Sequence, residues 1–457
     1  MDSYNPLGNR RLLQCAIWFC LAALPGHVLG QPGVKRGAPV RHGNASWTET
    51  YEWTAPAREG GKLILRADMG SVEIVSGSSN QLKGRVVVHV YTGSEEKARR
   101  LFDAYHLSTR SLEGGGIYVT GEFSGSRHHD PSVGAEFDIK LPARFNLDVE
   151  TRGGDIGLQG PVQGEARLTT AGGDIHASDI SGPSKVETAV GGISLGNLGA
   201  RAEVRTAGGS IHIGNIRGDA TIETGGGDIQ VGQVDGSLRA ATPGGDVDIA
   251  GASGQVVAQT AGGQIQVGPT GGSVRAETAA GSIRLRGPRG RVVAETAGGS
   301  IDLLQLVAGV RASTSAGRIL AEFDASAKSF AASQLETSVG DVYVYLPVGL
   351  SLTIDAAAGH RIVTDFPLNI LRDKEDFSAR TIRGHGTLNG GGEVLRIRTV
   401  TGNIEIRKLD SRGLEDFKSR TDTSLSRRQE RQAERARQLE QELRKRQREK
   451  EEAHDQQ

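Results

Sequence analysis

Aromatic residues are scarce in this 457-residue chain, and none occurs from 146 to 322. Polysaccharide-cleaving sites usually offer aromatic faces and paired carboxylates, so this long stretch makes a poor cleft of that kind. Cysteine is nearly absent. The only two, Cys15 and Cys20, lie in an apolar N-terminal segment. Removal of that segment would leave no disulfide and no thiolate metal site, so packing and hydrogen bonds must hold the fold. Charge of one sign is not in excess, with 54 Lys plus Arg against 54 Asp plus Glu. That balance offers no electrostatic footprint for nucleic acid. Long apolar runs are missing as well. The run 12–24 is short for a membrane span, and no second one follows.

Glycine, by contrast, is abundant, and it is ordered. Eleven times a glycine stands three residues after a threonine and two before an isoleucine or valine. The threonines are Thr151, Thr170, Thr188, Thr206, Thr224, Thr242, Thr260, Thr278, Thr296, Thr314 and Thr337, and from Thr170 to Thr314 every step is 18 residues. A strict period of this length marks a stacked repeat in which each unit is one coil. In the unit of Thr206, Ile211 and Ile213 flank His212, while Ala220, Ile222 and Thr224 alternate with Thr221 and Glu223. Such alternation predicts two short strands, each with one inward face. They pair with their equivalents one unit away. The expected fold is all-β, a single-stranded parallel β-solenoid of about eleven 18-residue coils, roughly 50 Å long at about 4.8 Å per coil.

The columns of the repeat carry more detail. Five and seven residues after each threonine the chain is apolar throughout, as at Ile175 and Ala177 or Ile229 and Val231. The glycine column, Gly154 to Gly340, is expected at a corner whose backbone only glycine adopts cheaply. Four and two residues before each threonine, small and large residues share the work. Ala202 and Val204 or Ala220 and Ile222 give way to Leu238 and Ala240 or Val256 and Ala258. Both positions are therefore expected to face one close-packed core, with the bulk shifting along the strand between Ala220 and Leu238.

Around this rod the organisation reads as follows. Residues 1–30 form a secretory signal with Arg10 and Arg11 at its start and cleavage near Gly30, or else a retained anchor. Residues 31–46 are a Gly/Pro/basic linker. Residues 47–145 are a mixed β/α cap with one helix, capped by Ser94 and carrying Ala98, Leu101, Phe102 and Tyr105 on one face, and this cap should cover the first coil's edge. The regular solenoid is 146–345. Residues 346–410 form a degenerate second module and C-terminal cap, where Leu346-Pro347 echoes Leu141-Pro142 and where Thr399, Gly402 and Ile404 repeat the corner. The echo suggests two fused modules. Residues 411–457 are a charged helix or disordered tail rather than a stable coiled coil, since Ala436, Leu439 and Leu443 give only about one heptad of seam.

Two strand–Leu-Pro–strand entries followed by threonine and glycine corners resemble the bacterial putative-adhesin domain of unknown function. The likeness spans about 63–406, with Gly70-Ser71-Val72 similar to that family's early glycine corner. It implies an extracytoplasmic β-solenoid and brings no catalytic residues. The long regular run of coils and the charged tail depart from the family's simplest pattern.

No candidate chemistry converges. Eighteen residues are two nonapeptides, the unit of calcium-binding β-rolls, and Asp155, Asp174, Asp228, Asp246 and Asp341 share one column. That column also holds Gly192, Ser210, Gln264 and Arg318, which is poor for an ion needing six to eight oxygens, so turn aspartates are expected. His176 and His212 share another column without companions. Arg167, Lys185, Arg239, Arg275 and Arg311 interleave with Glu187, Glu223, Glu277 and Glu295, which predicts an outward face paired across coils. No catalytic, cofactor-binding or metal residue is therefore assigned. The expected function is that of a non-enzymatic, exported, adhesin-like surface or envelope scaffold. It would meet an envelope protein or glycan through a long face or the caps, with no nucleic acid and no membrane span in the mature chain. Two alternatives are a carbohydrate-active enzyme with its site at a cap, and a periplasmic regulatory module using the C-terminal helix.

Overall fold

The computed structural model describes residues 33–124, 132–327, 329–372 and 381–409. The signal segment and the charged tail 411–457 lie outside the described residues. The fold is a parallel β-solenoid. Each 18-residue coil contributes a five-residue strand such as Ala202–Thr206 to one sheet and a shorter strand such as Ile211–Ile213 to the other. Every strand pairs in parallel with its equivalent one coil on, for example Ala202 with Ala220 and Ile211 with Ile229. A third line of contact closes the coil. Val162, Ile180, Leu198, Ile216 and Val234 bridge in sequence, and all are buried. From Ile180 to Val234 that column stands ten residues after the threonines, and it lacks the alternation that marks a strand.

Inside, one continuous apolar cluster runs the length of the rod. The paired small and large positions behave as expected. Ala220 and Ile222 are buried, as are Leu238 and Ala240. Their register aligns Ala220 with Leu238 and Ile222 with Ala240, so the bulk moves along the strand at that step.

The corner glycines are required for a different reason from the one the sequence suggests. Among them only Gly154 and Gly340 have a left-handed φ, at 112° and 146°. Elsewhere the constraint is proximity. A Cβ on Gly263 would sit under 3.0 Å from the carbonyl of Gly245 in the coil before, and the column from Gly173 to Gly317 repeats that overlap. Stacked corners touch backbone to backbone, which leaves no room for a side chain. The threonines complete the corner. Thr242 Oγ1 donates to the carbonyl of Gly227 at 2.9 Å and accepts from the N–H of Gly245 at 3.3 Å.

The ends are built differently from the middle. Strands Lys62–Ala67 and Ser71–Gly77 form a rung of their own beside Asn146–Thr151 and Ile156–Gln159. Beyond it lies another rung, Gly116–Phe123 and Val133–Pro142. The chain thus passes from Pro142 to Asn146 across an occupied rung. The C-terminal end repeats the device. Val394–Thr401 and Asn403–Lys408 lie between the rung Ser333–Val339/Val342–Leu346 and the rung Leu352–Ala358/Arg361–Thr364. Both Leu-Pro dipeptides mark these skips. Proline ends a strand because it has no N–H to donate to the ladder. The eleven threonine coils are therefore flanked by two more rungs at each end.

Antiparallel strands finish each end. Gln81–Tyr91 and Ser46–Pro56 continue one sheet past Val133–Pro142, and Tyr105–Leu112 closes the other. Helix Glu95–Ala104 starts at Ser94, whose hydroxyl accepts from the N–H of Lys97, and it buries Ala98 and Phe102. Tyr105 is buried too, but it opens the following strand. The linker expectation for 31–46 is corrected. Lys35–Arg36 and Val40–His42 pair antiparallel with Ser46–Pro56. Arg36 reaches the buried Glu49 at 2.9 Å, and Glu49 also accepts from the Tyr51 hydroxyl at 2.6 Å.

Candidate functional site

The five column aspartates are structural. Asp155, Asp174, Asp228, Asp246 and Asp341 each accept, through Oδ1, the backbone N–H of the next rung at 2.7–2.8 Å. Their carboxylates tie rungs together rather than converging on an ion. His176 and His212 remain apart in their column, with Ser194 paired between them. Among the described residues no group of three or more His, Cys, Asp or Glu side chains is placed to hold a metal.

The outward face of the longer strands is a paired surface. Lys185 contacts Glu187 at 3.0 Å and Glu203 at 3.6 Å, Arg205 bridges Glu203 and Glu223, and Arg275 meets Glu277. Burial raises the Glu277 carboxyl, but hydrogen bonds from Gln259 and Arg275 outweigh it and hold the group below its ordinary value. A face in which the charges satisfy one another has little left to offer a ligand.

The face of the shorter strands is different. Successive rungs present His212, Gln230, Asp248, Gln266 and Arg284 at the same outward position. Two residues on stand Gly214, Gly232, Ala250 and Gly268, which add almost no side-chain volume. The result is a groove of about 570 Å³ running from the rung of Leu195 to that of Arg286. At ~4.8 Å per rung its length is roughly 24 Å. Gln230, Asp248, Gln266 and Arg284 are half-buried in it. Burial lowers the His212 pKa below the ordinary 6.5, against an upward pull from Asp228. At the Arg284 end, Asp302 lies buried between Arg284 at 3.3 Å and Arg318 at 3.2 Å. The groove stops there, because the next outward positions, Leu304, Leu320 and Glu322, are covered.

A second depression of about 480 Å³ sits on the N-terminal cap. Glu52, Glu73 and Asp138 face Lys83, Arg85 and Lys140 around it. Glu73 and Asp138 are register partners on adjacent parallel strands.

Sequence reasoning weighed His212 alone and missed Gln230, Asp248, Gln266, Arg284 and Arg286. The available signal was the glycine-rich column beside a polar one.

Residues 131–268 match the family model described as Toastrack DUF4097. Over that segment the chain is similar to a domain of unknown function. The segment covers the first rungs of the solenoid and most of the groove. No curated protein matches the chain. Among solved structures, a putative cell adhesion protein from Clostridium sporogenes is 10% identical with a TM-score of 0.14, covering 83% of this chain and 100% of its own. A putative adhesin from Bacteroides fragilis is 13% identical with a TM-score of 0.25, covering 55% and 96%. A putative lipid binding protein from Parabacteroides distasonis is 12% identical with a TM-score of 0.18, covering 79% and 97%. Likeness at these levels transfers nothing to this chain. Among the described residues no helix is long and apolar enough to cross a membrane.

Proposed function

We propose that this protein is a non-enzymatic, exported interaction module of the cell surface or envelope that holds a partner along the rod. The single observation behind this reading is the groove on the short-strand face. It is an extended, half-buried row of hydrogen-bonding side chains on a scaffold stiffened by ladders between rungs. Asp248 is the one carboxylate lining it, which suits holding better than acid–base cleavage by a carboxylate pair. The partner is an envelope protein or a glycan, and the compartment is extracytoplasmic. The test is capture from envelope extract by the immobilised full chain. Recovery of a defined protein or glycan supports the reading, and recovery of nothing above a blank resin defeats it.

A second reading, a carbohydrate-active enzyme, draws on the cap depression with its neighbouring Glu73 and Asp138. Release of new reducing ends from polysaccharides by the chain, abolished in Glu73→Gln or Asp138→Asn, would establish it in place of the first. The regulatory reading rests on 411–457. Capture that is unchanged on deleting those residues removes it.

A further inference from the structure

We propose that Asn389 is a site of spontaneous deamidation and acts as a one-way latch on the C-terminal end of the rod. The closed latch protects the site. An opened latch is converted to a carboxylate and cannot close again. This latch is separate from the groove and does not depend on its reading.

The latch sits where the chain makes its last return. Strand Ile382–Leu388 runs antiparallel to Leu352–Ala358, and the turn after it leads into Val394–Thr401, which enters the slot between earlier rungs. In that turn Asn389 Nδ2 donates to the carbonyls of Val348 and Leu350, both at 2.8 Å. Ser351 Oγ donates to the Asn389 carbonyl at 3.0 Å. One residue thus ties the skip after Leu346-Pro347 to the strand that fills the skipped place.

The same residue is chemically labile. Asn389-Gly390 is the only Asn-Gly pair in the sequence. The turn calls for such residues, because Asn389, Gly390 and Gly391 have left-handed φ values of 49°, 88° and 83°. A Cβ on Gly390 would meet nothing within 4 Å, so the backbone nitrogen that follows Asn389 stands in open space. Asn389 and Gly390 are both exposed, and water reaches them. In the reaction the Gly390 nitrogen attacks Asn389 Cγ. A new Cγ–N bond forms, the Cγ–Nδ2 bond breaks, and Nδ2 leaves as ammonia with the proton of the Gly390 N–H. Water then opens the cyclic imide to aspartate or its β-linked isomer. No oxidant or reductant takes part.

The hydrogen bonds decide when this happens. While the latch is closed, expulsion of Nδ2 forfeits both of its bonds, so the fold holds the amide in place. Once the loop 347–351 lifts away, that restraint is gone. The product cannot return, because a carboxylate only accepts hydrogen bonds and would face two carbonyl oxygens that also only accept.

The purified full chain is held in mildly alkaline buffer, folded or in urea, and digested with trypsin at intervals. Peptide 384–396 contains no other Asn or Gln, and peptide 186–201 carries Asn197-Leu198 as its control. Mass spectrometry is expected to show Asn389 converting about tenfold faster in urea than in the folded chain, the scale of two lost hydrogen bonds. Asn197 should lag behind Asn389 in urea. In Asn389→Asp, hydrogen exchange at residues 348–353 should be about tenfold faster than in the parent. Unchanged exchange at Ala202–Thr206 and Ile211–Ile213 shows that the variant's rod is folded. Equal rates for Asn389 in urea and in the folded chain, conversion of Asn197 as fast as that of Asn389, or parent-like exchange at 348–353 in Asn389→Asp would each overturn the inference.

Discussion

At the residue scale the solenoid depends on what each corner excludes. Gly263 stands against the carbonyl of Gly245 with no space for a methyl group, whereas a Cβ on Gly226 would lie 3.7 Å from its nearest neighbour, the carbonyl of Gly208. Gly263→Ala is therefore expected to lower stability by about 1–3 kcal/mol in urea unfolding, the usual cost of forced overpacking. Gly226→Ala should be close to neutral, and equal behaviour of the two would show that proximity is not the constraint. His212 provides a pH signature. Its folded pKa lies below 6.5, so the unfolded chain binds more protons just under that pH. Stability should fall as pH drops from 6.5 toward the folded pKa, with a shallow slope because the ring is partly open to water. Thermal midpoints of His212→Gln measured across that window should lack this component of the slope.

At the scale of the element, each coil has a fixed volume to fill from two positions. Val256 and Ala258 are both buried, in register with Leu238 and Ala240 before them and Val274 and Ala276 after. Ala258→Val adds bulk beside Val256 and should cost about 1–3 kcal/mol. The exchange Val256→Ala/Ala258→Val keeps the total volume and should cost less than the single change, because the step from Leu238 already shows that neighbouring coils accept a shifted bulk. Urea midpoints decide the matter, and a double variant worse than the single would mean that the two positions do not share one space. The same scale explains why the charges of the long-strand face are paired. Its charges lie opposite one another on adjacent strands, the arrangement that stabilises a sheet through cross-strand pairs.

For the whole molecule, the relevant fact is that each rung touches only its neighbours. Stability is then close to a sum over rungs and their interfaces. Excising 243–260 removes one full period and rejoins Thr242 to Ala261 in the same phase, so the rod should fold with its strand content retained and be about 4.8 Å shorter by small-angle scattering. Loss of cooperative folding would argue against near-neighbour stacking. The excision also removes Asp248, so it shortens the groove by a rung. The ends behave differently, since their rungs come from distant sequence. Val394–Thr401 and Asn403–Lys408 fill a slot between rungs laid down earlier in the chain. Such long-range closure is slower to form than stacking of successive coils.

Much of this architecture could be read from residues alone, because a stacked coil sees the same neighbours at every step. An 18-residue period, an inward isoleucine column and a volume traded between two positions each encode a contact that recurs with the period. Thr399, Gly402 and Ile404 revealed the same corner even where the period had broken. What the period could not carry was any contact made out of turn. The rung 62–77 and the rung 394–408 take their places through chain returns, and only the Leu-Pro dipeptides hinted at a skip. Nor could it distinguish a glycine needed for its φ from one needed because another backbone lies against it, since both leave the same letter. The groove belongs with these. His212, Gln230, Asp248, Gln266 and Arg284 form a row because successive rungs stack in register, and the row is recessed because small residues from the same rungs lie beside it. Period and alternation determined the rod and its core from the sequence. Its ends and the groove on its short-strand face were decided by the tertiary structure, because they depend on which distant strands and outward side chains become neighbours.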